Sequence, residues 1–397
     1  MARPVKLLNR RYAALFLINL IVSISFSMVG TTMSVYVSRS GAAASVVGTV
    51  VGMLSIASLC MRPFTGILSD RLERKTLLII SLSLIAVAIL GCSLTTAVPA
   101  LFFFRILHGI GFSCATTVTL VLAGESVPEK KMTQGMAYFA LGQTIATAIA
   151  PSAGLWCGNR FGFAIAFRAA AGLLLLAVLL ASFLVEASGN VQGTTSKKRS
   201  LKFADFFAAQ ALPFCFLSAI AAGATGLENG FIALFGENVG LGNVGWYFTI
   251  AAVALLLARL FGGRLTDRHE NVMIPGGFLL MTMAFLALGF LTGSVSAGML
   301  AIVFGAASAF KSTGLGIVQP ALQAACLRSV PEERKGSASS TYYLGTDLGQ
   351  ALAPILGGTV MDRAGMAPMF SFYSVLLLIG FGISLICWSR KRQEVRI

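Results

Sequence analysis

Charged side chains are scarce in this sequence: they make up 11% of its 397 residues, while 56% are hydrophobic. At a mean hydropathy of +0.84 there are too few polar groups to cover a surface that faces water, which excludes an ordinary soluble domain. Acids are scarcer than bases, 15 against 30, and there are two histidines. Cysteines are few and solitary: Cys60, Cys92, Cys114, Cys157, Cys215, Cys326 and Cys387 lie far apart, with no C-x-x-C and no Cys/His ligand spacing. That excludes a zinc site or disulfide framework and leaves them as small packing residues. No G-x-x-x-x-G-K-[ST] stretch is present, so nucleotide hydrolysis at such a loop is excluded as the energy source. Long polar segments are missing too, apart from one stretch at 186–208. No separate catalytic domain fits, no nucleophile–base pair stands out, and no metal or cofactor is expected.

What is present is apolar sequence in helix-length pieces. In the first half the runs are 12–37, 43–68, 76–94, 98–123, 134–157 and 162–185; in the second they are 212–235, 243–265, 273–291, 297–325, 341–361 and 368–388. About 20 apolar residues cross the hydrocarbon core, and they must be helical because lipid offers no partners for backbone polar groups. An all-α membrane protein with twelve transmembrane helices follows. The first run, preceded by Arg3, Lys6, Arg10 and Arg11, is too long for a removable signal peptide and lacks a small-residue cleavage site.

The chain also repeats itself. Arg62-Pro-Phe-Thr-Gly66-Ile-Leu68-Ser-Asp70-Arg71 returns 197 residues later as Arg259-Leu-Phe-Gly-Gly263-Arg-Leu265-Thr-Asp267-Arg268. A second match runs from Val127-Pro128-Glu129 through Gly142 to Pro151 and Gly154, and returns at an offset of 203 as Val330-Pro331-Glu332, Gly345, Pro354 and Gly357. Two six-helix pseudo-repeat bundles are therefore expected, at 1–186 and 209–397, joined by a linker at 187–208.

Basic residues crowd the loops that follow even-numbered runs: Arg71, Arg74 and Lys75; Lys130 and Lys131; Lys197, Lys198, Arg199 and Lys202; Arg264 and Arg268; Arg328, Arg334 and Lys335. The opposite loops hold Arg39, Arg160 and Arg363. The positive-inside rule then puts both termini in the cytoplasm of a cell with this protein in its inner (plasma) membrane. The net charge of +15 is spread over every inner loop, which fits anionic lipid headgroups and not a nucleic-acid partner.

Gly66, Leu68, Asp70, Arg71, Arg74 and Lys75 form a G-x-L-x-D-R-x-x-R-K pattern that resembles the signature loop of the major facilitator superfamily, with Glu73 where that family usually has Gly. Arg105 and Gly109 are similar to the R-x-x-x-G motif of its helix 4. Gly142, followed after seven residues by Ala150-Pro151 and then Gly154, resembles the G-x(7)-G-P-x-x-G motif of its antiporters, with Ala150 replacing a Gly. The resemblance covers the whole chain and points toward twelve-helix bacterial exporters, of multidrug or of small-metabolite and opine-metallophore type.

Three residue groups follow. Arg62, Gly66, Asp70, Arg71, Arg74 and Lys75, with Arg259, Gly263, Asp267 and Arg268, read as a conformational latch, in which a carboxylate at a helix end meets helix-terminal amides or a guanidinium and biases one of two packings. Gly142, Pro151, Gly154, Pro354 and Gly357 read as helix hinges or close contacts. Ionisable residues inside apolar runs are the strongest site signal, since each costs about 2.5–3.5 kcal/mol at mid-membrane. These are Arg105 and His108, three apart on one helix face, and Glu228, Lys311 and Asp347. Lys311 neutralises one carboxylate, so the other is free to carry a proton. Glu228 is assigned as the partner of Lys311 and Asp347 as the proton site, all three at similar depth. The first half offers no mid-membrane acid.

The expected function is secondary transport by alternating access, with proton-coupled export of an amphipathic or zwitterionic small molecule that is held near mid-membrane between the halves. The partners are that solute, protons and the lipid bilayer, with the chain working as a monomer. The runner-up is uptake of a sugar or organic anion; a channel fits a twofold repeat less well.

Overall fold

A computed structural model of the chain describes residues 9–127, 132–184, 208–242, 244–291, 296–331 and 334–394. The described residues form twelve α-helices and no strand. They are α1 Arg10–Ser38, α2 Ala44–Arg71, α3 Arg74–Leu94, α4 Val98–Glu125, α5 Met132–Phe161 and α6 Phe163–Leu184, then α7 Leu212–Asn238, α8 Gly245–Arg268, α9 Glu270–Gly289, α10 Ala297–Arg328, α11 Lys335–Ala364 and α12 Met366–Glu394. The expected linker at 187–208 lies outside the described residues except for Ala208.

Local chemistry sets the helix ends. The Asn9 side chain accepts from the Tyr12 amide at 2.7 Å to open α1, and the Ser296 hydroxyl accepts from the Met299 amide at 3.4 Å to open α10. Proline stands in the first turn of α4 and of α7, where a missing N–H costs nothing. Gly365, at φ +95°, lets the chain leave α11 and enter α12 one residue later. Helix α11 begins six residues before its apolar run and α12 continues six residues beyond its own. Hydropathy registers only the lipid-buried part of a helix, whereas the hydrogen-bond ladder runs on into the polar ends.

Among the described residues nine helices are long and apolar enough to cross a membrane. Helix α8 falls outside that set because its described apolar stretch, Gly245–Phe261, is shorter; so do α5 and α11. The latter two are broken up by small and polar residues, in α11 by Ser337, Ser339, Ser340, Thr341, Thr346, Asp347 and Gln350. Small residues on such helices let neighbouring helices approach closely.

Contacts divide the chain into two units, Met1–Ser40 with Met53–Lys198, and Gly41–Gly52 with Arg199–Ile397. The start of α2 therefore groups with the second half, a detail the expected boundaries at 186 and 209 do not contain. Each unit uses the same pairings. In unit 1, α1 packs on α5 and α6, and α3 on α4 and α6; in unit 2, α7 packs on α11 and α12, and α9 on α10 and α12.

The tightest pairing is α7 with α11. A Cβ added at Gly345 would collide with the Cys215 carbonyl, and one at Gly349 with the Ala219 carbonyl. Backbones this close gain dispersion and weak Cα–H···O contacts that a methyl group would forbid. Pro354 sits inside the continuous α11 and removes the amide that Gln350 would otherwise receive. The bared Gln350 carbonyl lies against Gly226, where an added Cβ would stand 2.7 Å away.

Candidate functional site

Unit 2 holds a buried ion pair. Lys311 of α10 donates to Oε2 of Glu228 on α7, and their side chains are 5% and 4% exposed. Tyr247 of α8 lies against the same carboxylate. Its backbone is fixed by the Ser308 hydroxyl, which donates to the Tyr247 carbonyl at 2.6 Å. Three helices thus converge on one carboxylate. An aromatic cluster flanks it, with Tyr247 edge-on to Phe304 at 6.1 Å, Phe304 against Phe235 at 5.4 Å, and Phe235 against Phe370 at 5.0 Å. The dry surroundings strengthen the pairing and make either charge alone expensive. Oε1 of Glu228 and the nearby Thr225 hydroxyl are buried with no protein hydrogen-bond partner.

Asp347 of α11 is also buried, 8% exposed, but in a different layer. Gly345 abuts Cys215 and Ser218, Gly349 abuts Ala219, and Gln350 abuts Gly226. In that register Asp347 is level with Ala219 to Ala222 of α7. That is about two turns, roughly 10 Å, before Glu228 along the helix. The expectation of equal depth is corrected accordingly. Counting from helix ends ignored the α7–α11 register, which the glycine contacts set.

In unit 1, Arg105 and His108 share the interior face of α4, 2% and 1% exposed. The guanidinium lies close enough for its charge to act on the imidazole and on the Cys92 thiol. Among the described residues, every buried acid belongs to unit 2.

The expected latch residues are described only in part. The side chains of Asp70, Arg71, Asp267 and Arg268, and the surroundings of Gly66 and Gly263, lie outside those described. Arg74 pairs with Glu125, which also accepts from Arg11 at 3.4 Å, and donates to the Ser69 carbonyl at 3.3 Å. It therefore ties the start of α3 to the end of α4. Arg62 and Arg259 are exposed and Lys75 is half-buried; Arg259 donates to Gln319 at 3.0 Å. Of the expected hinges, Gly142 packs on Asn19 and Phe16, where an added Cβ would stand 3.3 Å from Asn19 Nδ2, Gly154 packs on Met28 and Thr32, and Gly357 packs on Leu227. Pro151 and Pro354 are inside unbroken helices.

Sequence reasoning missed Tyr247, Ser58 and Asp362. Asp362, near the end of α11, accepts from the amides of Ala44 and Ser45 at 2.7 and 2.9 Å. It caps the start of α2, the segment that groups with unit 2. Gly48 and Gly358 make the adjoining contact possible, since a Cβ on either would collide with a carbonyl, of Pro354 and of Ala44 respectively. The signal was present in the sequence: an acid directly after an apolar run, where no inner-loop charge rule applies.

The family model described as Major Facilitator Superfamily matches residues 15–307 and 214–396. The chain belongs to this superfamily. It is a multi-pass membrane transporter, not an enzyme. Its relatives include Multidrug resistance protein 2 of Bacillus subtilis, 23% identical over 362 residues that cover 88% of each chain. The Staphylopine export protein of Staphylococcus aureus is 23% identical over 85% of this chain and 86% of the relative. Among solved structures, a bacterial homologue of the human lysosomal transporter Spinster superposes with a TM-score of 0.78 at 16% identity, covering 97% of both chains. The relatives of this superfamily member thus include a protein named as an exporter, matched over most of its length.

Proposed function

We propose that this transporter exports an amphipathic or zwitterionic small molecule by alternating access, in exchange for protons carried on Asp347. Supporting this reading is the layered interior of unit 2, where Glu228 and Lys311 form one buried pair and Asp347 is a second buried carboxylate about two turns away. A carboxylate that binds and loses a proton changes the charge of its layer by one, while the ion pair in the next layer keeps its own balance. Buried acids in spans are expensive and serve as relay points in proton-driven transporters. Two relatives, named as a multidrug resistance protein and a staphylopine export protein, favour export over uptake. The basic loops favour both termini on the cytoplasmic side.

Asp347→Asn keeps the side-chain size and removes the titration. In proteoliposomes the variant is expected to lose transport driven by a pH gradient and to retain substrate binding. Undiminished gradient-driven transport contradicts the reading.

A further inference from the structure

We propose that Thr225, Glu228 and Asn229 of α7 form a binding site for an uncharged hydroxyl group of a small solute. Thr225 is the middle residue of α7, which runs Leu212–Asn238. Between Leu217 and Gly236 every residue of that helix is buried except Ala219, Thr225 and Asn229. The two polar exceptions are four apart and stand one turn from each other on one face, with Glu228 three residues after Thr225 beside them. That face is turned off the α11 contact, which takes Gly226 and Gly230 instead. A half-buried amide and hydroxyl at mid-span are costly against hydrocarbon unless something hydrogen-bonds them. Oε2 of Glu228 is engaged by Lys311. Oε1, on a side chain 4% exposed, and the Thr225 hydroxyl oxygen are buried with no protein hydrogen-bond partner. Buried polar atoms in native proteins have partners, from protein or from something bound.

Charge and hydrogen-bond sense decide the class of ligand. Lys311 already balances the Glu228 carboxylate, so an added ammonium or carboxylate would leave an uncompensated charge in a buried layer, at high cost. The group that meets Oε1 is therefore neutral. An ionised carboxylate oxygen only accepts, so that group donates to it; the Thr225 hydroxyl and the Asn229 amide can both donate in turn. A hydroxyl has one O–H and two acceptor lone pairs. It can give its proton to Oε1 and accept from the Thr225 O–H and the Asn229 N–H. A carbonyl or ether oxygen brings no donor for Oε1, and an ammonium brings no acceptor for Thr225 and Asn229. Taking this hydroxyl to belong to the transported solute rests on the proposed transport function; the binding itself does not.

The test uses the full-length protein purified in detergent, with thermal unfolding as the readout and three probes that share one apolar body: benzyl alcohol, benzylamine and sodium benzoate, at constant ionic strength near neutral pH. Benzyl alcohol is expected to raise the melting temperature of the wild type saturably, and the two charged probes to give no saturable rise over the same concentrations. Thr225→Val and Asn229→Leu, which keep the size, should each weaken the apparent affinity for benzyl alcohol about tenfold, the scale of one hydrogen bond. If either variant does not fold, Thr225→Ala or Asn229→Ala is expected to show the same loss. No saturable response of the wild type to benzyl alcohol would overturn the proposal. So would wild-type affinity in the variants at either position, or a tighter response to benzylamine or benzoate than to the alcohol. Asp347→Asn should respond as the wild type does, so failure here leaves the proton assignment standing, and failure of the gradient test leaves this site standing.

Discussion

The two units pair their helices in the same pattern and fill the interior with different chemistry. Unit 1 buries Arg105 and His108, and among the described residues no acid. Unit 2 buries Glu228, Lys311 and Asp347. The contrast extends to the helix ends. In unit 1 the first residue of α3, Arg74, pairs with the last residue of α4, Glu125; in unit 2 the first residue of α9, Glu270, pairs with the last residue of α10, Arg328. The bridge is the same and its polarity is reversed. Duplication therefore preserved where helices run and which ends must be tied, while the sign of each charge was free to change. A salt bridge needs opposite charges, and a helix pairing needs small residues at the contact; neither demands a particular residue at a particular copy.

The largest expected effect lies in the buried pair. Lys311→Met leaves Glu228 charged or forces it to take up a proton, and should destabilise the purified protein by about 3–5 kcal/mol, with Glu228→Gln added to it recovering most of the loss. If the single variant unfolds at the wild-type temperature, the pair is not the electrostatic centre of unit 2.

A smaller effect separates the equivalent pairings α7–α11 and α1–α5. Gly349→Ala places a methyl group against the Ala219 carbonyl and should cost about 1–3 kcal/mol through forced separation of the backbones. Gly142→Ala has the Asn19 and Phe16 side chains as its nearest neighbours, at 3.3 and 3.5 Å, and no carbonyl in its way, and should stay within about 0.5 kcal/mol. Equal melting temperatures for the two variants would show that the pairings are equally tight.

The smallest effect belongs to the helix-end bridges. Arg328→Ala should cost at most about 1 kcal/mol, because its side chain is 51% exposed and solvent screens the pair. Exchanging the partners, Arg328→Glu with Glu270→Arg, should restore wild-type stability and give unit 2 the polarity of unit 1. A double variant that melts below either single variant would mean that the reversed sign serves some purpose beyond the bridge.

Much of this was legible in the sequence because a lipid solvent leaves few choices. Twelve apolar runs became twelve helices, since nothing else satisfies their backbones. Counting buried charges left Lys311 one carboxylate to pair with out of two, and the glycines that flank Asp347 in the sequence pointed to Glu228, the partner it has. Depth was not legible: Asp347 sits about two turns from that pair because the α7–α11 register is set by the Gly345 and Gly349 contacts, which hydropathy does not see. The Asp362 cap on α2 joins residues more than 300 apart; the acid after an apolar run could be seen in the sequence, its partner could not. Arg74 was read with the latch motif, yet the structure engages it with Glu125, which the sequence left as an ordinary helix-end acid.

The central claim is that Asp347, and not the Glu228–Lys311 pair or His108, binds the coupling proton. The most direct measurement is pH-difference infrared spectroscopy of the purified protein, which reads the carbonyl stretch of a protonated carboxylic acid. A band that titrates in the wild type and in Glu228→Gln, and is absent in Asp347→Asn, is the result this account predicts. A titrating band that survives in Asp347→Asn, or one that vanishes in Glu228→Gln, would contradict it.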